Sequence, residues 1–315
     1  MTDRKPGLDS VAIVALLSCC TVWGLGQVAT KATLPEVPAL AQAAIRSCTA
    51  ALLVALWARW RGIALFDRDG TLASGLCAGL LFAVEFGLIF TGLKFTTASR
   101  MVVFVYLAPF IVALGMPLIA RNERLDLFQC VGLIAAFSGV AWAFAEGFQQ
   151  PSVGELQWLG DALGVSGAVF WGATTLLIRA TRLSHAAPEK TLLYQLAVSG
   201  LALGLASWLA GEQWPATLSP VPAVALTFQV VVVCFASYLL WFWLMRHYPA
   251  TQLSAFTLLT PVLGLLAGVA LMGDPLTLRL VVALVAVSAG IALVHRGGGA
   301  KRVSPTRQKQ QDSPA

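Results

Sequence analysis

The sequence is poor in charge. Of 315 residues, 11% are charged and 58% are hydrophobic, whereas a soluble domain carries about 25% charged and about 45–50% apolar residues. Mean hydropathy is +0.78. A soluble fold is excluded, because too little polar surface remains to cover a core of that size. Histidine is scarce too. His185, His247 and His295 are the three present. All fall at helix ends without metal-ligand spacing, which argues against an embedded enzyme. The six cysteines, Cys19, Cys20, Cys48, Cys77, Cys130 and Cys234, form neither a CxxC pair nor a Cys/His cluster. Zinc and a disulfide framework are therefore not indicated. There is no GxxxxGK[ST] phosphate loop. Nor does a basic patch interleave with exposed aromatics, as nucleic-acid binding would require. No cofactor, metal or nucleic-acid partner is expected.

What the sequence does have is long apolar runs. A membrane-spanning helix needs about 20 mostly apolar residues. Ten segments qualify, at roughly 10–31, 37–58, 72–93, 97–119, 127–146, 159–179, 190–210, 222–245, 250–272 and 277–295. The first is too long for a signal-peptide core and is read as a retained helix. Residues 1–9 form a polar tail, and 297–315, rich in Lys, Arg, Gln, Ser and Pro, read as a disordered one. Lys and Arg accumulate in cytoplasmic loops. With the N-terminus placed in the cytoplasm, sixteen of the 21 cations fall inside and four outside (Lys31, Lys94, Arg100 and Arg279), leaving Arg46 within a span. Both termini are expected in the cytoplasm, and the protein in the cell inner membrane as a multi-pass chain.

The chain also repeats. WGLGQVATKATL at 23–34 returns as WGATTLLIRATRL at 171–183, and LKFTTAS at 93–99 returns as MRHYPAT at 245–251. Pro109 matches Pro261, and SGVA at 138–141 matches AGIA at 289–292. Residues 10–147 and 158–296 are thus read as two copies of a five-helix unit, joined by an extracytoplasmic linker at 148–157. Five is odd, so the copies cross the membrane in opposite senses. Inverted repeats with a site near the midplane are a common transporter plan. The fold class is all-α membrane protein, ten transmembrane helices as two inverted five-helix repeats.

Two stretches, APFIVALGMPLIARNERLDLFQCVGLIAAFSGV and TPVLGLLAGVALMGDPLTLRLVVALVAVSAGI, carry a family likeness. With their repeat they resemble the ten-helix EamA-type members of the drug/metabolite transporter superfamily. Asp274 stands where that pattern has Glu. The resemblance implies a carrier of small metabolites, amino acids or drugs among them, usually outward, with cytoplasmic termini and no use of ATP.

Several residues invite a role. Each proline is expected to free the carbonyl four residues earlier, at Val105 and Thr257. A freed carbonyl is tolerated where it lines a cavity, so Pro109 and Pro261 are candidate hinges. The GxxxG pairs Gly75/Gly79, Gly200/Gly204 and Gly264/Gly268 are read as helix packing. Glu123 and Asp274 are read as interfacial charge partners. Glu85 lies about 12 Å from the outer end of its helix and Arg46 about 13 Å from the outer end of its own, at 1.5 Å per residue. Ionisable groups inside spans are costly and usually pair. Arg46 and Glu85 are expected to form an ion pair, with Arg100 as a further partner. Such a pair serves stability, or it serves cargo, Arg46 holding a carboxylate and Glu85 an amine or a proton. Trp23, Gln27, Tyr106, Trp171, Thr174 and Tyr238 are candidate cavity residues, the aromatics offering an apolar face with one polar handle.

The expected function is an inner-membrane secondary transporter that exports a small amphipathic metabolite, such as an amino acid, by alternating access. An importer of a sugar or carboxylate, or a non-transporting sensor or assembly subunit, is the alternative. The expected partners are a small-molecule substrate, the lipid bilayer and coupled protons, in a monomer or homodimer.

Overall fold

In lipid every backbone polar group must be satisfied within the chain, which leaves helices or closed barrels. The computed structural model is helical, and it describes residues 5, 7–120, 124–145, 148, 154–272 and 278–298; among these there is no strand. Eight helical segments are long and apolar enough to cross a membrane, and two shorter apolar helices, Leu127–Ala143 and Val281–Val294, complete ten spans. They are α1 (Ser10–Thr33), α2 (Ala39–Trp60), α3 (Leu72–Gly92), α4 (Ala98–Val105 then Ala108–Ile119) and α5 (Leu127–Ala143). The second set is α6 (Gln157–Ala180), α7 (Pro188–Leu209), α8 (Pro220–His247), α9 (Ala250–Phe256 then Leu259–Met272) and α10 (Leu278–Gly298). With ten spans, the start of α1 and the end of α10 share one face, here the terminal face; the other is the distal face.

Three spans depart from continuous helix, in two ways, and not as expected. The breaks in α4 and α9 precede their prolines, so Pro109 and Pro261 sit in the first turn of a new helix, where a missing N–H removes no intrahelical bond. The carbonyl of Thr257 is therefore not free: it accepts the N–H of Thr260 at 2.9 Å. Within α4, a proline that does lie inside a helix is Pro117, near its end. The second departure is in α8, where Gln229–Ser237 winds as π-helix between two α-helical pieces. Its counterpart α3 is regular.

The helices pack by an inverted two-fold rule. The main contacts are α2 with α7 and α5 with α10. Then α3 meets α6 and α7, as α8 meets α1 and α2; α4 meets α6, as α9 meets α1. All of these run between the two repeats, and the heaviest contacts are not between neighbours within a repeat. A core shared between the repeats results, drawing Leu16, Cys20 and Val54 from the first and Leu196, Leu258 and Val287 from the second. Small residues let the backbones approach. A Cβ on Gly24 would lie 2.7 Å from the Gly264 nitrogen, and one on Gly290 2.6 Å from the Ala136 nitrogen. Gly75 and Gly79 receive Tyr194 and Val198, while Gly200 and Gly204 receive Cys48 and Ala44.

Polar contacts then fasten each face. The α2–α3 loop lies on the terminal face, where Lys190 Nζ, 3% exposed, donates to Asp69 Oδ2 at 2.8 Å and to the Asp67 carbonyl at 3.0 Å. On the distal face α2 begins after Pro38, which offers no side-chain acceptor. Glu212, from the α7–α8 loop, supplies it: its carboxylate accepts the Ala41 N–H at 2.8 Å and the Leu40 N–H at 3.4 Å. An acid on the loop between the second and third helix of each repeat thus binds the start of the second helix of the other.

The glycine contact is testable. Gly290→Ala is expected to lower the melting temperature in detergent, overpacking costing about 1–3 kcal/mol. Gly87→Ala, with nothing within 4 Å of the new Cβ, should leave it unchanged or slightly raised. The Lys190 bond, then the Thr71 hydroxyl, hold the Asp69 carboxyl well below the usual carboxylate range. A group with a depressed pKa contributes stability that is present above its unfolded pKa of about 4 and is lost as pH falls below it. Asp69→Asn should therefore melt lower than wild type at pH 7, with the difference shrinking in scans below about pH 4.

Candidate functional site

The centre of the molecule is built from five helices. α2 brings Arg46, α3 brings Glu85 and Phe86, α1 brings Trp23, α4 brings Tyr106, and the π-helical part of α8 ends beside Tyr238. Arg46 is 8% exposed and Glu85 6%. They lie within electrostatic reach of each other and of Tyr238, yet the expected ion pair does not close. The guanidinium instead covers the ring of Phe86, with Cζ 4.6 Å from its centroid. Such stacking satisfies the charge through the ring quadrupole but uses none of its N–H donors. Arg46 Nε and Glu85 Oε2 are buried with no hydrogen-bond partner among the described residues.

Arg100 is not a member of this group. It opens α4 at the distal face and binds Asp161 of α6, Nε to Oδ1 at 3.1 Å and Nη2 to Oδ2. The Thr96 hydroxyl joins the same carboxylate at 2.7 Å. Asp161 is a partner that the sequence reading overlooked, although an acid inside an apolar run was its signal.

The aromatic candidates come together in two groups. The Trp23 indole N–H donates to Ser237 Oγ at 2.8 Å, and that hydroxyl donates to the Val233 carbonyl at 2.6 Å. Trp23 meets Trp241 edge-on at 5.3 Å and Tyr238 at 6.2 Å. Phe82 links Tyr238 to Phe86, with centroids 6.3 and 4.8 Å away. The second group is Tyr106 edge-on to Trp171 at 5.6 Å, and Tyr106 lies within electrostatic reach of Tyr238. Thr174 is buried, but its hydroxyl turns back to the Phe170 carbonyl at 2.8 Å. The candidate hinges Pro109 and Pro261 are both buried. The side chain of Gln27, and Glu123 and Asp274 altogether, lie outside the described residues.

A second polar cluster lies toward the distal face. Gln229 Oε1, on the π-helix, accepts from Gln42 Nε2 at 3.0 Å and from the Thr30 hydroxyl at 3.2 Å, and Gln229 Nε2 donates to Thr33 Oγ1 at 3.2 Å. Two glutamines inside apolar runs were the sign of it. Among the described residues no group of His, Cys, Asp and Glu could hold a metal ion.

Ten apolar spans in an inverted repeat, closed around buried charges and aromatic rings, define a membrane transporter of the helical, repeated kind. The model of the EamA-like transporter family matches residues 10–145 and again 158–296. The chain belongs to the EamA-like transporter family, part of the drug/metabolite transporter superfamily, and is a multi-pass membrane transporter rather than an enzyme. It is similar to the uncharacterized transporter YvbV of Bacillus subtilis strain 168, with 26% identity over 284 residues, 90% of this chain and 91% of the relative. A second transporter of that strain, the uncharacterized YoaV, is 21% identical over 281 residues, 89% and 94% of the two chains. A solved crystal structure superimposes with a TM-score of 0.78 at 17% identity over 92% of this chain and 99% of its own, a likeness of fold.

The Trp23 anchor can be checked. Ser237→Ala leaves the indole N–H without its acceptor, which costs about 1–3 kcal/mol when buried. A lower melting temperature is expected, together with a shift in intrinsic tryptophan emission. Ser237→Thr, which keeps the hydroxyl, should restore both.

Proposed function

We propose that the chain is an exporter of a small amphipathic metabolite bearing a carboxylate and an amine, as an amino acid does, and that it works by alternating access. The observation that carries this reading is the unclosed pair. Arg46 and Glu85 are buried in the same region, but Arg46 Nε and Glu85 Oε2 have no hydrogen-bond partner among the described residues. An ion pair kept only for stability must close well to offset its desolvation. Two opposite charges left short of each other are suited to a ligand with both charges of its own. In this reading Arg46 takes the carboxylate, Glu85 takes the amine or a coupled proton, and Phe82, Phe86, Trp23 and Tyr238 cover the apolar part. Tyr106 and Trp171 line the other side. The excess of Lys and Arg on the terminal face supports a cytoplasmic placement for it, and the outward direction rests on family likeness.

The test is a melting-temperature screen of the purified protein with amino acids, amines, carboxylates, sugars and nucleosides. A ligand that binds only the folded state raises stability by RT ln(1 + [L]/Kd), about 2.7 kcal/mol at a hundredfold excess over Kd. Amino acids should raise the melting temperature with dose, and Glu85→Gln and Arg46→Gln should fold yet lose that response. If Glu85→Gln cannot be purified folded, the pair is structural. A response to sugars or to simple carboxylates alone would replace the amino-acid reading.

A further inference from the structure

We propose that two matched clusters, Asp161 with Thr96 and Arg100 on the distal face and Asp9 with Tyr248 and Lys5 on the terminal face, are the two gates of the carrier, opening in alternation. This rests on the alternating-access reading above. The first observation is the chemistry. Thr96 and Tyr248 hold equivalent places in the two repeats, fourth in LKFTTAS and in MRHYPAT. Each donates its hydroxyl to an aspartate at the start of the first helix of the other repeat: Thr96 Oγ1 to Asp161 Oδ1 at 2.7 Å, Tyr248 Oη to Asp9 Oδ1 at 2.9 Å. A cation completes each cluster, Arg100 bonding Asp161, and Lys5 bonding Asp9 and reaching the Tyr248 hydroxyl at 3.3 Å. The Lys5 N–H also donates to the His247 carbonyl at 3.0 Å.

The two aspartates are not in strict register. By the Trp23–Trp171 match, Asp9 corresponds to Gln157, four residues or just over one turn before Asp161, about 6 Å along the helix. The longer tyrosine meets the carboxylate set one turn further out, and the shorter threonine meets the deeper one. Two different residue pairs thus close the same gap at opposite ends of the molecule.

The second observation is what each hydroxyl is attached to. Thr96 and Tyr248 each stand two residues before a short half-helix, Ala98–Val105 or Ala250–Phe256, which is cut off from the rest of its span by a break beside Pro109 or Pro261. A short segment with a break at one end and a polar contact at the other has the parts of a gate: absorbing a change in φ and ψ at element ends is how hinges work. The Asp69–Lys190 and Glu212–α2 contacts have no such break beside them; they hold α2 and α7, which run unbroken. They fasten the frame, and the Asp161 and Asp9 clusters move against it. Both gates are closed in the structure, and Cys234, beside Arg46 and Tyr238, is 1% exposed.

Cys234 is a natural reporter. With Cys19, Cys20, Cys48, Cys77 and Cys130 replaced by alanine, the protein is reconstituted in vesicles and treated with a membrane-impermeant maleimide from one side at a time. Thr96→Val is expected to speed labelling of Cys234 from the distal side alone, and Tyr248→Phe from the terminal side alone, each about fivefold, the factor one hydrogen bond sets. Asp161→Asn and Asp9→Asn should do the same more strongly, and melting curves confirm that every variant is folded. Unchanged labelling, or acceleration from both sides by one variant, overturns the proposal. The measurement needs no cargo, so it stands apart from the ligand screen. Side-specific labelling without any amino-acid response would keep the gates and reject the zwitterion.

Discussion

The structure depends on close packing between the two repeats. In lipid there is no hydrophobic force to press apolar helices together, so cohesion comes from van der Waals contact and polar bonds. That is why glycine lies where α1 crosses α9 and where α5 crosses α10, with backbone meeting backbone. It is also why the heavy contacts run from one repeat to the other. A five-helix unit here has no core of its own. The capping of α2 makes the same point on a smaller scale, since Glu212 of the second repeat satisfies N–H groups that Pro38 cannot. Fold and internal duplication are therefore inseparable: the repeat is the unit of sequence, the interlocked pair the unit of stability.

Against that frame the interruptions acquire meaning. Irregular backbone at membrane depth is tolerated where protein or a cavity covers it. α4 and α9 are broken, and both breaks fall among buried residues: Tyr106 beside one, Thr257 and Leu258 at the other. The π-helix in α8 is a third irregularity, of a kind frequent at functional sites. It carries Gln229, Cys234 and Ser237 toward α1 and α2, and α3, its counterpart, has nothing like it.

The large features were legible in the sequence for simple reasons. Run length and scarcity of charge give spans, whose ends the helices meet within a few residues, and exact words such as WG and the LKFTTAS/MRHYPAT match give the duplication. Of the GxxxG pairs read as packing, Gly75/Gly79 and Gly200/Gly204 are packed and Gly264 meets Gly24, while the surroundings of Gly268 lie outside the described residues. What a linear reading could not settle is contact. Arg46 and Glu85 interact electrostatically, but depth along two axes says nothing of rotation about them, and rotation puts Phe86 over the guanidinium. Arg100 had an aspartate 61 residues away in sequence that no local pattern announces. The prolines are visible in the sequence, but a proline opening a helix and one bending it look the same until the preceding residues show which bonds survive; at Pro261 the Thr260 N–H on Thr257 decides it. The π-helix has no sequence mark that we can identify.

One asymmetry joins these threads. The polar clusters at the two faces answer one another, each with a hydroxyl at the equivalent position bound to an aspartate of the other repeat, whereas the centre has no such counterpart. Arg46 and Glu85 belong to the first repeat; the second offers Tyr194 or Gln195 and Ser237 or Tyr238 at the corresponding places. A carrier that exposes one site to two sides benefits from matching ends, because equal gates let the two conformations lie close in free energy, and only a small differential affinity is then needed to shift between them. A zwitterion such as the proposed cargo has no two-fold axis, so groups that bind it would gain nothing from being duplicated. A second Arg–Glu set would add further charges to bury, at roughly 2.5–3.5 kcal/mol each on insertion scales. Symmetry kept at the faces and abandoned at the centre is the arrangement that these two costs favour together.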